Sequence, residues 1–157
     1  MICVLSLPVP VFVGSPGELP GELPEVSLGA PVSRSHPDPD TVVWCVRGAV
    51  DAEWDRPEPR VPKGLVFAPE EVARRSAAPF WVHWTAKEAM YKRMWRAARF
   101  VPAEFLLAGL REQDPPGDRI LRHFTWEGGF TACWRAPGPR GRRLWISVAT
   151  PAAAPEK

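Results

Sequence analysis

The sequence is short of the features that announce a secreted, membrane-bound or nucleic-acid-binding chain. Its 3 cysteines, Cys3, Cys45 and Cys133, are odd in number, widely spaced and without a CxxC pair, so a disulfide framework is not expected and a reducing cytoplasm is the expected setting. No apolar run approaches the roughly 18 residues that would span a bilayer. The apolar opening MICVLSLPVPVFVG has no basic stretch before it, no small-residue cleavage site after it, and Pro8 and Pro10 inside it, so it does not read as an export signal. The formal net charge is only +2, too little for the concentrated basic field that a nucleic-acid or membrane surface requires, and neither is an expected partner.

What is present is an ordinary globular composition. A length of 157 residues suits one domain with a real core, and 45% apolar against 24% charged residues argues against wholesale disorder. The 20 prolines remove backbone donors and fix φ, so regular structure should concentrate in proline-poor stretches.

Residues 1–32 contain SPGELPGELPE, where no strand or helix period survives, and read as an irregular N-terminal arm. TVVWCVRGAVDAEW, from Thr41 to Trp54, is rich in Val and Trp and predicts one or two strands broken near Gly48. A short helix is expected from Pro69, with Glu70 and Glu71 at its positive end. The stronger helix runs from about Pro79 to Ala98, with Phe80, Trp84, Ala89, Met90, Met94 and Ala97 as its buried stripe. FVPAEFLLAGL allows a short helix or a strand, and REQDPPGDR reads as a loop. RILRHFTW, GGFTACWR and RRLWISVAT then read as three strands. The class expected is α+β: a single domain over 33–150, an antiparallel sheet packed on a long helix, and a frayed tail over 151–157.

Two local patterns carry chemistry. Asp51 and Glu53 are two apart on a predicted strand and so share a face. Glu88 and Lys92 are four apart on the predicted helix and so are neighbours. Taken alone, the second pair reads equally as an exposed ion pair worth about 0.3 to 0.5 kcal/mol. Three carboxylates converging from a strand and a helix, however, repel one another unless a cation sits between them. Hard oxygen ligands suit magnesium, which shares its shell with phosphate, and a nearby lysine offsets phosphate charge.

Asp51-Ala52-Glu53 followed by Trp84-Thr85-Ala86-Lys87-Glu88-Ala89 and Lys92 resembles the signature of the 4′-phosphopantetheinyl transferase superfamily. Ser35-His36 is similar to the Ser-His that precedes the Asp-x-Glu in its surfactin-synthetase-activating type, and LWISVA, residues 144–149, to the closing strand of that type. Ala49 stands where the family usually has glycine, with Gly48 beside it. The resemblance implies transfer of the phosphopantetheine arm of coenzyme A to a serine of an apo acyl or peptidyl carrier protein. It places magnesium on Asp51, Glu53 and Glu88, catalysis on Glu88 and Lys92, and coenzyme A on Ser35, His36, Lys87 and Lys92. It leaves a second reading open, a relative that binds coenzyme A or a carrier protein without turnover. Because the likeness is to the second half of a two-half enzyme, it also implies a homo-oligomer.

Overall fold

The computed structural model describes residues 3–5, 11–18, 32–74, 80–94, 99–105, 107–113, 121–126 and 129–151. Over these the chain is α+β, with two antiparallel sheets and one long helix. The first sheet has the order β1 (Cys3–Leu5), β2 (Val11–Gly14), β4 (Thr41–Val46), β3 (Val32–Asp38). The second has the order β5 (Ala49–Trp54), β9 (Arg143–Pro151), β8 (Gly129–Pro137), β7 (Leu121–Trp126), β6 (Ala108–Gln113). Two helices, α1 (Pro69–Arg74) and α2 (Phe80–Met94), lie between β5 and β6 in the chain. None of the described helices is long and apolar enough to cross a membrane.

Strand alternation assigns each side chain to a layer. Val50, Ala52 and Trp54 of β5 pack with Leu144, Ile146 and Val148 of β9 against Val11, Val13, Val43 and Cys45 of the first sheet. The opposite face of the second sheet carries Ala49, Cys133, Trp145 and Ala149, and there it meets Trp81, Val82, Ala86 and Ala89 of α2. The layers therefore run first sheet, second sheet, helix. Burying an aliphatic side chain of this kind contributes about 1.5 to 3 kcal/mol, so the two clusters hold the layers together.

Several expectations are met and several are amended. The run from Thr41 to Trp54 is two strands, and the break at Arg47 and Gly48 lets the chain leave one sheet and enter the other. A Cβ on Gly48 would come within 2.8 Å of Val148 Cγ1, so the glycine is required by the close approach of β9. The three late strands are β7, β8 and β9. The arm expected to be irregular instead supplies β1 and β2, and β2 is an inner strand with Val11, Phe12 and Val13 buried. Its four apolar residues are buried on both faces, so they show no period. Arg111, Glu112 and Gln113, expected in a loop, end β6 and pair with β7. Pro151, expected in the tail, closes β9 opposite Gly129, and 152–157 lie outside the described residues.

The α2 helix is buried around much of its circumference rather than along one stripe. Phe80, Ala89 and Met90 are buried as expected, but so are Trp81, Val82, His83, Thr85, Ala86 and Lys87. The second sheet covers one side, and Val66, Phe67, Phe105 and Leu107 cover the other. Ala97 lies outside the described residues.

Candidate functional site

The site is assembled where β5, the edge strand of the second sheet, lies beside β3 and under α2. On β5 the alternate residues Ala49, Asp51 and Glu53 face the helix. Asp51 sits directly opposite Ser147 of β9. The Ser147 hydroxyl shares a 2.6 Å hydrogen bond with Thr85 Oγ1, and Thr85 also donates to the Trp81 carbonyl at 2.8 Å. This buried contact fixes the rotation of the helix over the strand, and so directs Glu88 and Lys92 toward Asp51.

Asp51 is 3% exposed. Its Oδ1 accepts from Ser35 Oγ at 2.9 Å and from Lys92 Nζ at 2.8 Å, while its Oδ2 is buried and finds no hydrogen-bond donor among the described residues. Lys92 also donates to the Val50 carbonyl at 3.1 Å and stands 3.5 Å from Glu88 Oε1. Burial disfavours the charged carboxylate and pushes Asp51 up to about 7; Lys92 opposes the shift and the charge of Glu88 adds to it. Glu53 is raised for the same first reason, burial, with Arg56 opposing and Glu88 adding. Glu53 accepts from Arg56 Nη2 at 3.2 Å. Asp51 and Glu53 thus each feel the charge of Glu88, with the Lys92 ammonium beside Asp51 and Glu88.

Ser35 is held by the edge of β5. The amides of Val50 and Ala52, which point away from β9, donate to Ser33 Oγ at 3.0 Å and Ser35 Oγ at 3.1 Å. Ser35 therefore accepts from the backbone while donating to Asp51, and its hydroxyl orientation is fixed. His36 is exposed on β3 and is not brought to the carboxylates.

Lys87, expected to contact coenzyme A, is not in this site. It is fully buried, ion-paired to Glu71 and donating to the Val66 carbonyl at 2.7 Å. Burial lowers its pKa and Glu71 pulls it back. Glu71 in turn accepts from the amides of Ala68 and Leu107, each at 2.9 Å. Within the helix signature, Thr85 and Lys87 therefore anchor the helix, and only Glu88 and Lys92 face the site. The reason is rotational: on a helix covered on both sides, Lys87 points one residue's turn away from Glu88 and into the core.

Beside Lys92 lies a cleft of about 500 Å³ whose walls include Arg34, Arg47, Lys92 and Arg93 and, among the described residues, no carboxylate. Arg47 adopts a φ of 65°, a left-handed conformation that costs a non-glycine residue about 1 kcal/mol or more and that clusters at functional sites. Arg34 carried no motif in the sequence; its only signal was its place between Ser33 and Ser35 on a strand, which turns it to the opposite face. Trp134 and Trp145 are core residues, and Arg135 is paired with Asp55.

The donor chemistry suits a hard cation: an orphaned buried carboxylate oxygen with two more carboxylates nearby. No three His, Cys, Asp or Glu side chains among the described residues close a metal cage by themselves. Magnesium commonly takes only one or two carboxylates and completes its shell with water and phosphate.

No family model matches the chain, and no curated protein or solved structure matches it either.

Proposed function

We propose that this chain transfers the 4′-phosphopantetheine arm of coenzyme A to the serine of an apo acyl or peptidyl carrier protein, with magnesium. The observation that carries the reading is the meeting at Asp51 of Ser35 from one sheet, Lys92 from the helix and the charge of Glu88. Three signature pieces far apart in sequence, Ser35, Asp51 and the helix bearing Glu88 and Lys92, thus meet at one buried carboxylate. The basic cleft that begins at Lys92 supports it further, since coenzyme A is a polyanion.

Asp51, through its orphaned Oδ2, would offer one ligand to magnesium, with Glu53 or Glu88 as a second and water and phosphate as the rest. When bound, the ion neutralises the pyrophosphate that is to be broken. Lys92 would contact the same phosphates from the cleft side, and Ser35 keeps Asp51 from rotating. Glu88 is partly exposed and can take the proton of the incoming serine hydroxyl. The serine oxygen bonds to the β-phosphorus, the bond to the bridging oxygen breaks, and 3′,5′-adenosine bisphosphate leaves with the electron pair. Positioning and charge neutralisation supply most of the acceleration and proton removal the smaller part.

The 2.8 Å contact of Lys92 with Asp51 favours a second reading, a relative that binds coenzyme A or a carrier protein without turnover, because the ammonium already offsets the buried charge. One experiment separates the two. The protein is incubated with coenzyme A, magnesium and several apo carrier proteins, and each carrier is weighed by mass spectrometry. Gain of the phosphopantetheine mass, lost in Glu88→Gln, supports transfer; no gain on any carrier, with coenzyme A still bound, leaves the binding reading.

A further inference from the structure

Lys92 is shared between the buried carboxylate and the basic cleft. Its Nζ donates to Asp51 Oδ1 at 2.8 Å and to the Val50 carbonyl at 3.1 Å, and stands 3.5 Å from Glu88 Oε1. The ammonium thus already places a positive charge between two of the carboxylates to which a metal would come. The same side chain is 28% exposed and lines the cleft with Arg34, Arg47 and Arg93. Lys87, the lysine of the other lysine–carboxylate pair on α2, is 0% exposed, so it has no solvent-side position to move to.

These two neighbours of Lys92 decide what can bind first. A divalent cation approaching Asp51 meets a monovalent one already in contact with it, and like charges that close repel strongly where water is largely excluded. Lys92 yields by turning its stem toward the cleft, whose walls carry three arginines and, among the described residues, no carboxylate. With no anion there, that move exchanges a carboxylate partner for three like charges. A polyanion in the cleft reverses the balance, because it offers the ammonium new charge-assisted hydrogen bonds and offsets the guanidinium groups. A compact ammonium on a flexible four-carbon stem suits such a change of partner.

We propose that Lys92 is an autoinhibitory latch: its ammonium holds the cation place at Asp51 until an anion in the basic cleft draws it off, so that a divalent metal binds together with the phosphates of the donor or after them. The identity of that anion rests on the coenzyme A reading above. The metal therefore does not load on the protein alone. By linkage, the factor by which coenzyme A tightens the metal is also the factor by which the metal tightens coenzyme A.

The test uses manganese, which takes the same hard oxygen ligands as magnesium. It is titrated into the full chain and its free concentration is read by electron paramagnetic resonance, with and without coenzyme A and corrected for what coenzyme A binds in solution. The unaltered protein should bind the ion about tenfold more tightly, or better, once coenzyme A is present. Without coenzyme A, Lys92→Met should bind it about tenfold more tightly than the unaltered protein does. Arg93→Met removes the same charge from an exposed position on the cleft wall, away from Asp51, and should change the affinity by less than about twofold. Lys92→Gln, which keeps a donor for Asp51, gives the same comparison if the methionine variant does not fold. A Lys92 variant that binds manganese no more tightly than Arg93→Met overturns the latch. So does equal manganese affinity with and without coenzyme A in unaltered protein that binds coenzyme A by calorimetry, and in both cases the coenzyme A reading stands. Calorimetry that shows no coenzyme A binding removes that reading instead, and the Lys92 comparison, made without coenzyme A, still decides the latch.

Discussion

Lys87 and Lys92 lie little more than a turn apart on α2, and each reaches a carboxylate on another element, yet the two pairs are built differently. Glu71, the partner of Lys87, is fully answered: the ammonium and two backbone amides occupy its oxygens. Asp51, the partner of Lys92, keeps one oxygen orphaned and is pressed by a second carboxylate. A satisfied buried pair holds structure in place. An unsatisfied one stores a demand for positive charge that a ligand can meet, which is the usual physical mark of a site.

The strongest way to break this contrast is to remove each cation or anion in turn. Lys87→Met should cost about 3 to 5 kcal/mol in urea unfolding, because it strands the charge of Glu71 in the core. A cost as small as that of a surface change would show that the pair is not structural.

Asp51→Asn should act in the opposite direction, raising stability at pH 8 in a metal chelator by about 1 to 3 kcal/mol while abolishing transfer. The pH dependence fixes the sign. The folded-state pKa of about 7 lies above the ordinary 3.8, so between these values the folded protein holds a proton that the unfolded chain has released. Stability therefore falls as pH rises through that window and levels off above it. The advantage of the asparagine should vanish near pH 4, grow toward pH 7 and then stay constant; an advantage that does not change with pH would assign it to some other cause.

Arg47→Gly sharpens the contrast at the cleft. It should add about 1 kcal/mol of stability by relieving the left-handed φ, and should weaken coenzyme A binding in a salt-dependent way. Unaltered affinity would detach the cleft from the ligand. The smallest effect is expected for Thr85→Val, which loses the hydrogen bond to Ser147 and should cost about 1 kcal/mol. Its diagnostic result is a lower transfer rate without weaker coenzyme A binding, since Thr85 positions the helix and touches no ligand.

Much of this was legible in the sequence because it depends on spacing. Asp51 and Glu53 share a face by strand period, and Glu88 and Lys92 by helix period; Gly48 marks the break between sheets. What was not legible depends on partners distant in the chain. Nothing near Lys87 shows that Glu71 answers it, and the default for a lysine beside Glu88 is solvent. The density of apolar residues from Phe80 to Met90 was the available signal, since a helix covered on all sides leaves few places for an exposed charge. β2 escaped for the opposite reason, being too short and too uniformly apolar to show a period. The basic cleft gathers residues from β3, the β4–β5 turn and α2, which only the tertiary arrangement brings together.

The serine hydroxyls that β3 sets against the edge of β5 have a consequence for assembly. An edge strand offers a row of open amides on which another chain can add a strand, and that is the common route to unwanted association. Here the Val50 and Ala52 amides are already bound by Ser33 and Ser35, and the Val50 carbonyl by Lys92. Side chains thus finish the sheet where a neighbour's backbone would otherwise dock. Along this margin the protein refuses strand exchange, and the same row of groups that guards the border also holds Asp51 in register.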